Sequence, residues 1–376
     1  MSARFAVGSP VHRAWQSAGL VTLVAGAVTL PLVFDDYRLT QLGQAVAYAV
    51  ALLGLNVVSG MSGQISLGHG AMFGVGAYTT AILVGDHGFP VAAAIIAAGL
   101  LGLAVGVVVG LPALRLRGLY LAIVTIAVVT AFPLLLVQPF GRDLGSGGAS
   151  GKPILLSFVK PSWFPLDVTA VGFRFSMLAL TAVGIFVVTT RLVRSRVGRA
   201  LIAVRDFETA AVAAGIRAAG VKVGAFAFST MLGAVGGGLF MLMVPIVSPD
   251  SVGFPLSLLF ITAMIIGGEE RVSGAVVGGL MMVYLPTFTS DMALKVPSLA
   301  ALPQPGLLAT VLYGVILVVF VLFVPRGLMP LATRLRERVI RFVPPGLEGP
   351  QSGNPPRPRE PSETASPAVR RETAST

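Results

Sequence analysis

Nucleophiles, bases, metal ligands and phosphate-binding loops are scarce in this chain, and those present are poorly placed for catalysis. No cysteine occurs among the 376 residues, which excludes disulfides, thiolate metal sites and cysteine nucleophiles. His12, His69 and His87 lie far apart and no His-Glu-x-x-His pattern occurs, so neither a metal site nor a catalytic residue is expected. Residues 146–153 read SGGASGKP. They approach the phosphate-binding pattern Gly-x4-Gly-Lys-Ser/Thr, but serine replaces the first glycine and proline replaces the hydroxyl residue. The chain reads as a non-enzyme without a cofactor. Either a partner supplies its energy, or it is a passive channel.

Two polar stretches carry what chemistry there is. The first is RLVRSRVGRALIAVRDFETAAVAAGIRAAGVKVGAF, residues 191–226. Asp206 is a candidate N-cap, Glu208 sits in the first turn where the helix dipole favours an anion, and Gly215 is a natural C′ residue. Residues 209–214 between them form a short helix with a nearly bare surface, which lets a backbone seat in another protein's groove. A helix of about eight residues is marginal alone in water, so it needs a docking surface. The competing reading is a helix lying on lipid headgroups, held by Arg194, Arg196 and Arg199. The second stretch places Asn56, Ser59, Ser62, Gln64, Ser66, His69, Tyr78 and Thr79 in otherwise apolar sequence. Polar groups facing lipid are expensive, so most of these face protein or water. They are candidates for a translocation lining or for helix–helix hydrogen bonds, the latter worth about 0.6–2 kcal/mol each.

The elements that must position these residues are membrane helices. Hydrophobic residues make up 55% of the chain and charged residues 11%, against about 25% charged in soluble proteins. Mean hydropathy is +0.87. Uncharged windows near the roughly 20 residues that a span needs occur at 17–34, 39–59, 64–85, 89–111, 118–140, 175–190, 223–247, 253–268, 272–290 and 306–325. The third opens with polar, glycine-rich sequence at 63–70 and reads as broken or re-entrant. All 16 Asp and Glu residues fall outside these windows, unlike the midplane carboxylates that ion-driven transporters use.

If residues 191–222 are cytoplasmic, alternation places the N-terminal residues 1–16 and the tail, 331–376, inside as well. Six of the 27 Lys and Arg residues then face outside, namely Arg38, Arg142, Lys152, Lys160, Arg174 and Lys295. That bias is the positive-inside rule. The net charge of +11 therefore reports topology, and no nucleic acid is expected as a partner. Residues 17–330 form the membrane domain, with a long outer loop at 141–174. From about Pro344 the tail is rich in Pro, Ser, Thr, Glu and Arg and is expected to be disordered. Gly102, Gly106 and Gly110, Gly233 and Gly237, and Gly274 and Gly278 repeat at a spacing that lets helices approach closely.

Residues 198–216, GRALIAVRDFETAAVAAGI, resemble the Glu-Ala-Ala loop of ABC importer permeases, especially those of branched-chain amino-acid systems. Residues 54–78, GLNVVSGMSGQISLGHGAMFGVGAY, and 115–125, RLRGLYLAIVT, resemble further signatures of the same family, in its LivM type. The match runs from about residue 39 to 330. It implies an all-α integral membrane protein of about ten transmembrane helices, N-in and C-in, similar to the permeases of vitamin-B12-type ABC importers. It also implies a coupling helix that docks on an ATPase, with Glu208, Ala211, Ala214 and Gly215 at motif positions and Arg199, Arg205 and Asp206 beside them.

The implied partners are a second, non-identical permease, two ATP-binding cassette ATPase subunits and an extracytoplasmic substrate-binding protein. The implied location is a bacterial cytoplasmic (inner) membrane, in contact with its lipid. Thr209 stands where alanine is usual. The outer loop 145–151 only loosely follows the family's Thr/Gly/Asp-rich element, so its role toward a binding protein stays open. The expected function is to form the translocation path for branched-chain amino acids in an ATP-driven importer. Urea, short amides or aromatic acids are alternative cargoes, and an ATP-independent secondary transporter or channel is the alternative of another class.

Overall fold

The computed structural model describes residues 3–6, 10–113, 119–154, 168–269, 271–295 and short pieces at 314–316, 318–319, 322–323, 327–329 and 340–343. Arg115, Arg117, Lys160, most of the window 306–325 and the tail beyond 343 lie outside the described residues.

Apolar segments become helices because a helix satisfies its own backbone polar groups where no water can. In chain order these are α1 (Pro10–Val33), α2 (Asp36–Leu55), α3 (His69–Gly85), α4 (Val91–Ala113), α5 (Leu119–Val137) and the short α6 (Pro139–Asp143). There follow α7 (Ala170–Arg194), α8 (Arg196–Asp206), α9 (Glu208–Ala213), α10 (Ala218–Phe240), α11 (Phe254–Gly267) and α12 (Gly274–Lys295). Among the described residues, six stretches are long and apolar enough to cross a membrane: 36–61, 91–112, 120–137, 170–194, 218–240 and 249–267. Several helices overrun their apolar windows. α7 takes in Arg174, Arg191 and Arg194, and α12 takes in Asp291 and Lys295. Long charged side chains near helix ends can reach the membrane surface, so helical hydrogen bonding continues past the apolar run. α3 has 17 residues, about 26 Å at 1.5 Å per residue, and the stretch before it is not helical.

α10 is the central helix, packed against α2, α3 and α4. In the most apolar windows, 67% of residues are buried for α10 and 72% for the stretch 36–61, against 22% for α5. Ile96 and Leu100 of α4 and Ile123 and Leu134 of α5 point outward, as a lipid-facing surface would. Glycines set the closeness of the core. A Cβ at Gly76 would collide with the carbonyl of Ala234, and one at Gly237 with the carbonyl of Phe73, so α3 and α10 cross backbone to backbone. Gly102 and Gly106 meet Ala234 and Thr230 of α10 in the same way, and Gly278 meets the carbonyl of Ala263 at 2.6 Å. Gly110 makes only an ordinary contact, with Phe226 at 3.5 Å.

Two short strand pairs depart from the purely helical expectation. β1 (Ala3–Ala6) pairs in parallel with β4 (Ile340–Val343). β2 (Lys152–Pro153) pairs antiparallel with β3 (Ile246–Val247), and beside it Lys152 forms an ion pair with Asp86 at 2.5 Å.

Gly76→Val is expected to destabilise the protein by about 1–3 kcal/mol or more through overpacking. Gly184→Ala on α7, whose Cβ meets nothing within 4 Å, is expected to be neutral or stabilising by up to about 1 kcal/mol. Thermal unfolding of the purified protein distinguishes them, and equal midpoints would contradict the close crossing.

Candidate functional site

The loop after α7 folds as two consecutive helices. Ser195 starts α8, its Oγ accepting from the Val197 amide at 3.1 Å. α8 buries Gly198, Leu201 and Val204 along one face and leaves Arg199 exposed. Residue spacing alone does not separate α8 from the helix that follows. It therefore places Asp206 as an N-cap, and this is corrected. Asp206 is the last residue of α8, where its carboxylate accepts from Arg205 Nε at 2.9 Å. Phe207, outside helical geometry at φ −147° and with no side-chain cap, precedes α9 instead.

α9 carries Glu208 in its first turn, paired with Lys222 Nζ of α10 at 2.7 Å. Ala211 is buried against Val204 and Ala218. Ala214 ends the helix, and Gly215 follows with φ +85°. The Gly215 amide donates to Val212 at 2.9 Å and the Ile216 amide to Ala211 at 3.0 Å. This pair of bonds is the Schellman stop, which favours glycine at the left-handed position. On the outer side of α9, Phe207, Ala210, Val212 and Ala213 are exposed.

The loop packs on a break in the helical body. α2 continues into a π-helical turn, Asn56–Met61, and then residues 62–68 leave helical geometry. Arg205 Nη1 donates to the Gly60 carbonyl at 2.6 Å. The Gln64 amide donates to the Lys222 carbonyl at 3.1 Å and to Ser62 Oγ at 2.7 Å. Ser59 Oγ donates to the Gln64 carbonyl at 3.1 Å, and Asn56 Nδ2 to the Arg271 carbonyl at 3.1 Å. His69 Nε2 donates to the Ala51 carbonyl at 2.7 Å. Asn56, Ser62, Gln64, Ser66 and His69 are buried.

The structure thus gathers Asn56 to His69 around the break. Tyr78 and Thr79 lie further along α3. Tyr78 donates to the Val247 carbonyl at 3.3 Å beside β3, and Thr79 to Val75 of its own helix at 2.6 Å. Sequence reasoning missed Gly60 and Lys222. Lys222 could have been suspected as a lone cation at the start of an apolar helix, 14 residues after Glu208.

Residues 37–321 match the family model described as branched-chain amino acid transport system, permease component. The chain belongs to this family. It is 28% identical over 340 residues to the high-affinity branched-chain amino acid transport system permease protein LivM of Escherichia coli K12, covering 84% of this chain and 75% of that one. LivM of Salmonella typhimurium is 28% identical over 335 residues, with the same coverages. The probable LivM permease of Methanocaldococcus jannaschii is 26% identical over 240 residues, 63% of this chain and 67% of that one. No solved structure shows a significant match. The family match takes in both halves of the site, the break and the α8–α9 loop.

Gly215→Val forces a β-branched residue into the left-handed region, at about 1–2 kcal/mol. Nothing lies within 4 Å of its Cβ, so the effect is on the backbone alone. Gly215→Asn, which tolerates this conformation, is expected to retain most of the stop. Tryptic cleavage at Arg217 should accelerate in the first variant and not the second. Equal rates in both would argue against the Schellman stop.

Proposed function

We propose that this chain is the permease subunit of an ATP-driven importer of branched-chain amino acids. The observation that carries this is the family match over residues 37–321, together with the LivM relatives. The chain does no chemistry of its own, and ATP hydrolysis falls to two cassette subunits. A second permease completes the path, and a substrate-binding protein delivers the cargo from outside a bacterial cytoplasmic membrane. About ten helices cross in this reading, N-in and C-in, with a fold similar to the vitamin-B12-type permeases. Residues 191–222 are cytoplasmic and 141–174 extracytoplasmic. The pairing of β1 with β4 supports a shared side for residues 1–16 and the start of the segment 331–376.

α9 is the docking element. Its exposed small face, flanked by Phe207 and Val212, fits a groove on an ATPase, while Arg199 lies beside it toward the headgroups. A push on α9 reaches the membrane through two links, Arg205 to the Gly60 carbonyl and the Lys222 strand of bonds to Glu208 and Gln64. Both end on the break. Asn56, Ser59, Ser62, Gln64, Ser66 and His69 then form the inner gate of the path, with Tyr78 and Thr79 further out. Among the described residues the buried Asn56 Oδ1 has no hydrogen-bond partner, a penalty of about 1–3 kcal/mol.

Glu208→Lys is expected to abolish uptake of radiolabelled leucine while the chain stays in the membrane. Adding Lys222→Glu should restore part of it. Normal uptake by both Glu208→Lys and Gly215→Trp, or uptake that persists after ATP depletion, would contradict the coupling role and favour an ATP-independent carrier.

A further inference from the structure

We propose that a polar cleft between α2 and α12 is the outer half of the substrate path, and that the aromatic cluster at its floor is the closed gate. This rests on the transport reading above. The cleft has a volume of about 320 Å³, at the lower end of the roughly 300–1,000 Å³ range of small-molecule sites. Tyr37, Gln41, Gln44 and Tyr48 line it from α2, at spacings that place all four on one helical face. Met282 and Thr287 line it from α12. A polar face of this length on a spanning helix cannot look into hydrocarbon, so it faces protein, water or substrate, and the cleft beside it leaves room for the last two. The break and α9 sit at the opposite end of α2, so the cleft opens at the extracytoplasmic end.

Among the described residues no lining side chain is ionised. The Thr287 hydroxyl donates to Val283 of its own helix at 2.8 Å, which leaves its lone pairs for a guest. Gln41 donates to the Tyr37 hydroxyl at 3.0 Å. Gln44 makes no hydrogen bond to another described residue, so its amide offers both a donor and an acceptor. Such groups solvate a carboxylate and an ammonium without pinning either to a fixed counter-charge. Met282 and the Tyr48 ring provide an apolar wall. This mixed polar and apolar lining is compatible with passage of the amino-acid cargo proposed above. A third charge on the ligand would find no partner.

Below this site the path is shut. The Tyr48 ring packs on Phe73, Phe240 and Phe260 with centroids 5.4, 5.2 and 5.8 Å away, and His69 meets Phe260 edge-on at 5.4 Å. These rings come from α2, α3, α10 and α11. α2 and α10 are also the helices tied to the α8–α9 loop, so motion of the loop is transmitted to the plug.

The absence of native cysteine makes the test direct. Gln44→Cys and Thr287→Cys are introduced separately into the full transporter in native-host cells. Each is treated from outside with a membrane-impermeant methanethiosulfonate, and His87→Cys on the exposed outer surface serves as control. The expected result is modification of all three, with leucine uptake of the Gln44 and Thr287 variants falling to background and uptake of the His87 variant unchanged. Leucine delivered by the binding protein should slow modification at Gln44→Cys. Failure of the reagent to reach the two cleft positions, or modification without loss of uptake, overturns the assignment while leaving the transport reading in place. Absence of leucine uptake by the untreated wild type overturns both.

Discussion

Where a membrane helix unwinds, its freed amides and carbonyls must find partners inside the protein, because the lipid offers none. The break after α2 is built on that requirement. Arg205 satisfies the Gly60 carbonyl, the Gln64 side chain reaches the Lys222 carbonyl, and Thr125 Oγ1 receives the Leu67 amide at 3.0 Å. Ser257 Oγ receives the Gly70 amide at 2.8 Å. One of these partners, Arg205, belongs to α8, and another, Lys222 at the start of α10, is paired with Glu208 of α9. A helix break and the α8–α9 loop, which could have been independent features, are therefore held in one hydrogen-bonded unit. Displacing the loop without rearranging the break would leave buried polar groups unpaired, at about 1–3 kcal/mol each.

That unit acts on the core through close packing. α10 carries Lys222 at its start and the Gly233–Gly238 stretch further along, where its backbone lies against α2 and α3. With a carbonyl where a Cβ would be, as at Gly76 and Gly237, the helices have little room to slide independently. Densely packed interfaces shift between discrete arrangements more readily than they deform continuously. A displacement of α10 thus carries the ring cluster of Tyr48, Phe73, Phe240 and Phe260 with it. The exposed face of α9, the break and the ring cluster are thus joined by one continuous set of contacts.

Much of this was legible in the sequence. Composition alone dictated membrane helices, and the polar run Gly63–Gly70 announced the break, since such residues cannot be continued as a lipid-facing helix. Gly215 was recognisable as a helix stop because a left-handed residue there needs glycine. Asp206 misled, because a capping side chain is indistinguishable from a helix-ending one until α8 is known. The buried positions Val197-proximal Gly198, Leu201 and Val204 do recur at helical spacing, so that signal existed. The bond from Arg205 to Gly60 joins residues 145 apart and depends on how α8 packs against the π-helical turn, which no local pattern encodes. The polar face of Tyr37, Gln41, Gln44 and Tyr48 is interleaved with Leu39, Leu42, Val46 and Ala47 and shows only at helical spacing.

The central claim is that α9 and the break move as one body. Spin labels at Thr209→Cys and Ile65→Cys, both exposed and in a chain without native cysteine, measure it directly by pulsed electron paramagnetic resonance. In the assembled transporter, the distance between them should be the same in the nucleotide-free and ATP-trapped states. A distance distribution that widens or shifts on ATP binding would show the loop moving apart from the break, and would contradict the account.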